Sequence, residues 1–525
     1  MHLTDHSLRQ IDDAYVQSLD VASLRDLSLR LLADLQEARE RLNQGPTNSS
    51  RPPSSQAPWE RGGPPVASPG TAADDEDAAP TEVPAPPATN AAALGAQTDA
   101  ATLPAAPRKP GKQPGAPGFG RTQVFRAHDT QAHRPTVCAG GGRALPTHGA
   151  AVAYTGFQSV DLLWNDPATP GLRLWVIDHH YEEVTCACGH QTRAIPAQGE
   201  VDPTLGNVQL REWRLVGPGL ATLIVALNLR FRMSRARTQE FLWTWLGVQL
   251  SIGTIHQALH EAAAAVAPAE PERIAAIQRS DLLHADETSW PQQGELRWLW
   301  VFLTTTTTLY VIANRGKATV TRLLAGFTGW LMTDGWFSYR GYPQRLRCWA
   351  HLLRKAQGLV ECYDPTGRAF GRLVLGTLET LMVAIDAARD APPVDGASLD
   401  LPRLHAARLA ALQPACIANL GHRHDKTQAL AVELTNDWAA IFQVLNHPQL
   451  PLTNNAAERA LRHWVIARAI SHGTRTDVGS RVFALLASVI DTCRQRGHSP
   501  WPYLAAAITD RRVGRALAPL PLPGV

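Results

Sequence analysis

The sequence predicts a multidomain α+β protein: an N-terminal helix, a linker, a small cysteine-containing module, a helical region, and an α/β core with a helical insertion. Leucines at helical spacing mark the first helix, and a Pro/Ala/Gly/Ser-rich stretch marks the linker. Two β-rich runs around a threonine stretch mark the core. The predicted divisions are 1–43, 44–122, 123–204, 205–275, 276–507 with an insertion at about 364–445, and a tail at 508–525.

Composition narrows the class of protein. The chain has 525 residues, 44% of them hydrophobic, which is enough for more than one core. Its net charge of +3 is nearly balanced, so contact with a nucleic acid would depend on local basic patches. Seven cysteines in this length do not suggest a disulfide framework. With no signal-like start and no bilayer-length apolar run, we expect a cytoplasmic protein without a membrane partner.

The N-terminal segment predicts one amphipathic helix. Its apolar positions recur at helical spacing and are Leu24, Leu27, Leu31, Leu35 and Leu42. Two interpretations stand: a short coiled-coil contact between copies of the chain, or a helix that packs on its own domain. Residues 44–122 contain too few large apolar side chains to offset the entropy of ordering, so we predict a disordered linker. Its basic end, "RKPGKQPGAPGFGR", favours a solvated tail over a phosphate contact.

The next segment contains candidate zinc ligands. Cys186, Cys188 and His190 lie close together in "TCACGH", and Cys138 lies upstream in "VCAGGG". Thiolates and imidazoles at such positions are the ligands of structural zinc. The first half has one cysteine followed by glycines where a strong zinc motif has a Cys-x-x-Cys pair. The alternative is therefore a zinc-knuckle-like fold that has lost its metal.

The helical region resembles a helix-turn-helix. Ser234 is placed to cap a helix that ends near Leu246, Gly247 to form the turn, and Ser251 to cap a second helix. A second helix of this kind lies in the DNA major groove, and a pair of helices that simply packs is the alternative. The candidate base and phosphate contacts are Thr254, His256 and Gln257 on the second helix, with Arg230, Arg232, Arg235 and Arg237 nearby.

The core has a recognisable order of elements. The stretch "DLLHADETSW" predicts a strand through Asp286, and residues 296–315 predict a hairpin around the threonines. A helix in "ATVTRLLAGF" and a buried strand ending at Asp334 follow. Three strands, a helix and a fourth strand is the order of a ribonuclease-H-like sheet, in which the first and fourth strands are neighbours.

This order predicts a cluster of acids. Asp286 and Asp334 would meet at one edge of the sheet, and Glu458 at the start of a later helix would complete the set. Carboxylates gathered without a cation repel one another, and two Mg²⁺ or Mn²⁺ ions would remove that penalty and support phosphoryl transfer. The segment after Glu458 is basic, as a surface that holds DNA requires, and its candidate DNA contacts are Arg459, Arg462, Arg468 and Arg475. Asn454 and Asn455 are candidate caps of the Glu458 helix.

The motifs "ADET", "TDGW" and "NNAAERALR", in this order, resemble the DDE transposases of the IS66 insertion-sequence family. The likeness continues in "RLRCWAHLLRKA" and in the stretch that begins "SHGTRTDVGSR", and it covers roughly residues 205–507. The resemblance implies that Asp286, Asp334 and Glu458 bind the catalytic metals. It also implies hydrolysis at the ends of the element, attack of the exposed 3′-hydroxyls on target DNA, a homo-oligomer, and small accessory proteins.

Other interpretations of the same residues remain open. A ribonuclease-H-like nuclease that cuts without joining predicts the same three acids. A non-catalytic DNA-binding protein would require a missing carboxylate, and none is missing. Cys348 and His351 have a spacing found at metal sites, although we favour a core cysteine and a histidine beside the active site.

Overall fold

The computed structural model describes residues 11–42, 123–148, 150–206, 208–390 and 400–524. The predicted linker, residues 44–122, lies outside the described residues. In the described ranges, no helix is long and apolar enough to cross a membrane.

The N-terminal helix forms where the leucine spacing predicts it. Two helices begin the chain, α1 (Asp13–Ser18) and α2 (Val21–Leu42). Asp20 caps α2 by accepting a hydrogen bond from the Ser23 amide at 2.7 Å. Near its end, Glu40 accepts hydrogen bonds from the Tyr363 amide at 3.1 Å and from Lys426 Nζ at 3.2 Å. The leucines predicted to form its apolar face, including Leu35, are largely exposed.

The predicted cysteine-containing module is rich in β-structure. Its strands are β1 (Asp129–His133), β2 (Val152–Leu163), β3 (Arg173–Thr185), β4 (Gln191–Arg193), β5 (Gln198–Gly199) and β6 (Leu210–Arg211). The strands β2 and β3 form a long antiparallel hairpin, with β1 and β4 paired to β3. One face carries an aromatic stack in which Phe157 lies 4.4 Å from the ring of His179 and 5.0 Å from that of Trp213. This stack lies apart from the small apolar cluster that contains Cys138 and Cys186.

The helical region has the predicted caps and turn. Its helices are α3 (Pro218–Val225), α4 (Arg235–Leu246), α5 (Ile252–Val266) and α6 (Glu270–Gln278). Ser234 accepts from the Arg237 amide, and Ser251 from the Thr254 amide at 3.0 Å. Gly247 ends α4 in the left-handed conformation, at φ 64°. The Glu261 carboxylate, buried in α5, accepts two hydrogen bonds from Arg512.

The central sheet contains the four predicted strands in the predicted order, and a fifth strand at one edge that the sequence did not predict. They are β7 (Leu282–Gln292), β8 (Glu295–Leu303), β9 (Thr308–Ala313), β10 (Trp330–Thr333) and β11 (Arg345–Arg347), with α7 (Lys317–Leu323) between β9 and β10. The order across the sheet is β11-β10-β7-β8-β9. The first three strands are antiparallel, whereas β10 lies parallel to β7, with Met332 opposite His284. The first and fourth strands of this sheet are therefore neighbours.

Two groups of helices complete the chain. The first group consists of α8 (Trp349–Val360), which precedes the predicted insertion, and of α9 (Pro365–Asp390), α10 (Leu401–Leu404), α11 (Ala406–Ala418), α12 (Asp425–Asn436) and α13 (Trp438–Phe442), which lie within it. It has its own apolar core around Leu352, Leu378 and Leu434. The last helices are α14 (Asn455–Ser471), α15 (Asp477–Gln495) and α16 (Pro500–Arg512). Helix α16 extends into the predicted tail, because Arg512 is anchored on Glu261.

Helices α14 and α15 cover one face of the central sheet. Ala457, Leu461 and Trp464 of α14 share a core with Val301 of β8. Ser488 of α15 accepts a hydrogen bond from the Tyr310 amide of the edge strand β9 at 2.8 Å. Covering an edge strand in this way satisfies its free amides and prevents pairing with another sheet.

Candidate active site

Asp286 lies on the face of β7 that α14 covers. Successive side chains of a strand point to opposite faces. Asp286 is paired with Val301, which packs against α14, whereas Glu287 is paired with Trp300, which packs on the other face. The amide of Glu287 donates a hydrogen bond to the Asp286 carboxylate at 2.8 Å.

Asp334 follows the end of β10, beside Asp286. The register of β10 on β7 places Met332 opposite His284, so the same offset places Asp334 beside Asp286. The Asp334 carboxylate accepts a hydrogen bond from the Trp336 amide at 2.9 Å, which fixes it across a tight turn. The two aspartates therefore come from adjacent parallel strands, as the order of elements predicts.

Glu458 lies in the first turn of α14, and Asn454 connects this turn to β7. The Asn454 side chain donates to the Ala285 carbonyl at 2.8 Å and lies 3.1 Å from His284 Nδ1. Asn454 precedes the first residue of α14, but its side chain does not cap the helix. The prediction that Asn454 caps with its side chain is wrong, because β7 takes both polar ends of its amide. Asn455 is the first helical residue, so it is not a cap either.

Glu287 is a buried acid whose partners the sequence did not reveal. Its carboxylate accepts hydrogen bonds from Arg315 Nη2 at 2.9 Å and from the Tyr339 hydroxyl at 2.8 Å. The Arg315 guanidinium lies between the rings of Trp298 and Trp336, at 4.1 and 4.5 Å from their centres. Because strand side chains alternate, Glu287 lies on the face opposite Asp286, and nothing in the local sequence points to Arg315. Trp336 is thus a packing residue in this structure.

Burial and, after it, repulsion between the carboxylates both disfavour the charged forms of the acids in this cluster. Burial raises the pKa of Asp286 well above its usual range, and the charges of Asp334, Glu287 and Glu458 raise it further. Burial, followed by the charge of Asp334, raises the pKa of Glu287 to about 7 despite the hydrogen bonds from Tyr339 and Arg315. These shifts indicate that the carboxyl groups interact with one another without enough compensating positive charge.

The residues present fit a divalent cation. Among the described residues, neither Asp286 nor Asp334 forms a salt bridge, and the buried Glu458 Oε1 has no hydrogen-bond partner. Carboxylate oxygens are the ligands that Mg²⁺ and Mn²⁺ prefer. A cation here would relieve the repulsion that raises the pKa of Asp286.

Glu458 also has neighbours on α8. Its Oε1 lies 3.7 Å from His351 Nδ1 and 3.9 Å from Arg354 Nη2. Burial, together with the positive charges of Arg354, Lys355 and Arg347, lowers the pKa of His351 to about 3. The imidazole is therefore neutral. Burial raises the pKa of Cys348, whose sulfur accepts a hydrogen bond from the Asn454 amide at 3.2 Å.

The basic residues predicted near Glu458 differ in their surroundings. Arg459, Arg462 and Arg475 are exposed. Arg468 instead donates hydrogen bonds to Thr288 and to the carbonyl of Ser289, so it connects α14 to β7. We therefore expect Arg468 to contribute mainly to the position of α14.

The helix-turn-helix candidates lie at two places. Arg230 lines a cavity of about 370 Å³ together with Arg459 and His463, and Arg232 donates to His463 Nδ1 at 2.8 Å. The remaining candidates lie on or near the starts of α4 and α5, where Arg235, Arg237 and Gln257 are exposed and Thr254 and His256 are half-buried. Helix α5 is buried from residue 258 to residue 266, so only its first turns offer a surface. A recognition helix contacts bases mainly through its N-terminal residues, and this exposure is consistent with that role.

The cysteine cluster is partly assembled. Ligand atoms of Cys138, Cys186 and Cys188 all lie within 4.8 Å of one another, with 3.7 Å between the sulfurs of Cys138 and Cys188. Burial raises the pKa of Cys138, but the amides of Gly141 and Gly140 outweigh it and bring the pKa to about 7. The exposed ring of His190 lies over Gly140 and is not part of this group.

Comparison with known proteins defines the class. A family model described as "Transposase IS66 family" matches residues 214–482, which include the three acids and both helices of the helix-turn-helix-like pair. This match covers more than half of the 525 residues, and the chain belongs to the IS66 family of transposases.

Two curated relatives come from Sinorhizobium fredii (strain NBRC 101917 / NGR234). The chain is 25% identical to "Uncharacterized protein y4qI" over 263 residues, which are 44% of this chain and 48% of that protein. It is 32% identical to "Uncharacterized protein y4jO" over 104 residues, which are 20% of this chain and 32% of that protein. The chain thus aligns with less than half of either relative.

Proposed function

We propose that this transposase is a DDE-type enzyme that cleaves DNA at the ends of an insertion sequence and transfers the 3′ ends into target DNA. Asp286, Asp334 and Glu458 would bind two Mg²⁺ or Mn²⁺ ions. The observation that carries the proposal is the position of Asp334 beside Asp286 on adjacent parallel strands, and burial together with the charges of Asp334, Glu287 and Glu458 raises the pKa of Asp286 there. A cluster of this kind stores unfavourable energy that a bound cation would remove.

The order of the strands supports a ribonuclease-H-like core. Three antiparallel strands are followed by a helix and by a fourth strand that lies parallel to the first. This topology places the acid of the first strand beside the acid that follows the fourth. The helix carrying Glu458 crosses the same face of the sheet.

When bound, the ions would supply activation of the attacking oxygen and stabilisation of the leaving oxygen during in-line displacement at phosphorus. The protein's own part is to hold the three carboxylates in position. The Glu287 amide orients Asp286, the Trp336 amide orients Asp334, and Asn454 fixes the start of the Glu458 helix on β7. In the first step water would displace a 3′-oxygen at the element's end, and in the second that 3′-hydroxyl would displace a 3′-oxygen of the target strand.

DNA is the proposed partner, as element ends and as target. Arg459 and Arg462 follow Glu458 on α14, and Arg475 lies beyond the end of that helix; all three are exposed and suited to contact phosphates. A homo-oligomer and small accessory proteins are also proposed, on the basis of the family alone. We place the protein in the cytoplasm, at the nucleoid when bound to DNA.

The test is cleavage of a labelled duplex carrying the element's own ends, in Mg²⁺. Glu458→Gln keeps the shape of the side chain and removes its charge, so we expect cleavage to be lost while a mobility shift shows that DNA binding persists. The matched control is Glu379→Gln, at an exposed acid of α9. Equal cleavage by Glu458→Gln and wild type would disprove the assignment of Glu458.

A second assay separates transposition from simple cutting. Duplexes with exposed 3′-hydroxyl ends are mixed with a target plasmid and Mg²⁺. Joined products are expected for a transposase. Cleavage without any joining would favour the nuclease interpretation.

A further inference from the structure

A second group of ligand atoms surrounds Glu458. A carboxylate oxygen of Glu458, a ring nitrogen of His351 and the sulfur of Cys348 all lie within 4.8 Å of one another. Cys348 is the residue before α8, His351 lies in the first turn of α8, and Glu458 lies in the first turn of α14. Two helix starts thus bring a thiol, an imidazole and a carboxylate to one place.

The sulfur of Cys348 is surrounded by hydrogen-bond donors. The Asn454 amide donates to it at 3.2 Å, and the amides of His351 and Ala350 also point at it. Amide donors stabilise a thiolate, which is the form of cysteine that binds metals. A thiolate in such a buried position needs a cation beside it.

His351 and Glu458 each present a buried atom that has no hydrogen-bond partner among the described residues. These atoms are His351 Nδ1 and Glu458 Oε1. The 3.7 Å between them is too long for a direct hydrogen bond. The side chains of His351 and Glu458 are 19% and 28% exposed, so an ion could reach the cluster from the active-site side.

The surrounding positive charge is largely compensated. Arg347 pairs with Glu433 and Asp437, and Lys355 pairs with Glu433. Arg354 remains, at 3.9 Å from the Glu458 carboxylate. The negative charges of a Cys348 thiolate and of Glu458 would match those of one divalent cation.

We propose that Cys348, His351 and Glu458 form a zinc site that competes with the catalytic metal site for Glu458. A thiolate, an imidazole and a carboxylate, with a fourth position left open, are a zinc ligand set, whereas Mg²⁺ prefers oxygen ligands alone. Zinc bound here would draw Glu458 away from Asp286 and Asp334 and inhibit catalysis. The inhibitory part rests on the proposed function, whereas the binding part does not.

Zinc binding is tested first, without DNA. Full-length protein carrying Cys138→Ser, which disrupts the cysteine cluster of the β-rich module, is dialysed against Zn²⁺ in excess Mg²⁺. We expect one zinc per chain. Either His351→Ala or Glu458→Gln in this background should weaken binding by more than about 100-fold, because loss of an outer partner alone costs about 10–100-fold.

Two results would overturn the zinc site: no zinc bound by the Cys138→Ser chain, or zinc affinity unchanged in both variants. Because Cys348 is fully buried, its replacement is not the primary test. His351 and Glu458 are partly exposed, and circular dichroism of their variants checks that the fold is kept.

Inhibition is tested by cleavage in Mg²⁺ with increasing Zn²⁺. We expect wild type to lose activity as the zinc site fills and His351→Ala to require at least tenfold more Zn²⁺ for the same fractional loss. Zinc that binds without changing the wild-type cleavage rate would disprove the competition. If no Mg²⁺-dependent cleavage occurs at all while zinc binding depends on His351, the proposed function fails and the metal site stands.

Discussion

Asn454 and Ala285 are joined by a hydrogen bond across the candidate active site, from the Asn454 side-chain amide to the Ala285 carbonyl at 2.8 Å. Ala285 immediately precedes Asp286, and Asn454 immediately precedes the helix that carries Glu458. The Oδ1 atom of the same asparagine lies 3.1 Å from His284 Nδ1, and its backbone amide donates a hydrogen bond to the sulfur of Cys348. One buried side chain therefore connects the strand of the first acid with the helix of the third.

Replacing Asn454 with alanine should impair both stability and cleavage. The buried groups left without partners should lower the free energy of unfolding by about 1–3 kcal/mol. Cleavage should fall by more than the loss of folded protein explains, because Glu458 loses its fixed distance from β7. Urea unfolding and the cleavage rate of fully folded protein measure the two effects.

The neighbouring Asn455 offers a matched control. Its side chain is exposed, so Asn455→Ala should change the free energy of unfolding by no more than about 0.5 kcal/mol. If both alanine variants cleave DNA equally well, the hydrogen bond to Ala285 does not position Glu458.

The sequence predicted the sheet and its helices well, for a physical reason. β-Branched and aromatic residues fill β8 and β9, and the turn residues around them mark the ends of the strands. The helix starts at Ser234 and Ser251 were equally clear, because capping depends on residues a few positions apart. Such signals are local, so one chain is enough to detect them.

Contacts between distant segments were not predictable in the same way. Asn454 looked like a helix cap, but β7 competes for its amide from 169 positions away. The DNA contact predicted for Arg468 stays a prediction, but the sequence did not indicate that its guanidinium donates to Thr288 and Ser289. The ion pair between Glu287 and Arg315 joins β7 to the segment after β9, so no short stretch of sequence indicates it. Each of these depends on tertiary packing, which overrides what a short stretch favours.

Arg315 should matter more for stability than a typical surface arginine. It is the cation that neutralises Glu287, whose side chain is 1% exposed. Arg315→Ala leaves that carboxylate without a cation and removes the stacking on Trp298 and Trp336. At pH 9, where Glu287 with its pKa of about 7 is ionised in the wild type, we expect a loss of about 3 kcal/mol in the free energy of unfolding, and a smaller loss at pH 7, where Glu287 takes up a proton instead.

Arg297 is the control for this prediction. It pairs with the exposed Glu295 at 2.9 Å, and such surface pairs contribute at most about 1 kcal/mol. Urea unfolding of Arg315→Ala and Arg297→Ala side by side gives the comparison. Equal losses would show that the Glu287 carboxylate does not need Arg315.

Gly473 should tolerate no side chain. Its φ is +84°, and an added Cβ would overlap the Pro291 carbonyl oxygen. Gly473→Ala should therefore lower the thermal unfolding temperature and disturb the contact between Gln292 and Thr474. The control is Gly376, which lies inside α9 with open space around it. Gly376→Ala should raise the free energy of unfolding by up to about 1 kcal/mol. The prediction fails if both variants unfold at the same temperature.

The buried His260 should make the helical region sensitive to acid. Burial, with the charges of His256 and Arg235, lowers its pKa from the ordinary 6.5 to about 4. The unfolded chain therefore binds a proton between these values that the folded chain does not. The contribution of neutral His260 to the free energy of unfolding is therefore complete above pH 6.5 and is lost as the pH falls towards 4.

At pH 5, the free energy of unfolding of the wild type should be about 2 kcal/mol lower than at neutral pH because of His260. His260→Asn cannot take up this proton, so the difference in its unfolding free energy between pH 7 and pH 5 should be smaller. Denaturant unfolding of both proteins at the two pH values is the measurement. An identical pH dependence would place the responsible groups elsewhere.

Arg459 and Arg468 lie on the same helix, but replacing them with alanine should have different effects on DNA binding and on stability. Arg459 is exposed, whereas Arg468 is bonded to β7. If Arg459 contacts a phosphate, Arg459→Ala should weaken DNA binding for all sequences and reduce the slope of log K against log salt concentration by about 1. Arg468→Ala should leave that slope unchanged and lower the free energy of unfolding by about 1–3 kcal/mol, because it removes hydrogen bonds to Thr288 and Ser289. Binding measured across a salt series, with urea unfolding of both variants, separates the two roles. A reduced slope for Arg468→Ala with unchanged stability would mean that its guanidinium leaves β7 for DNA.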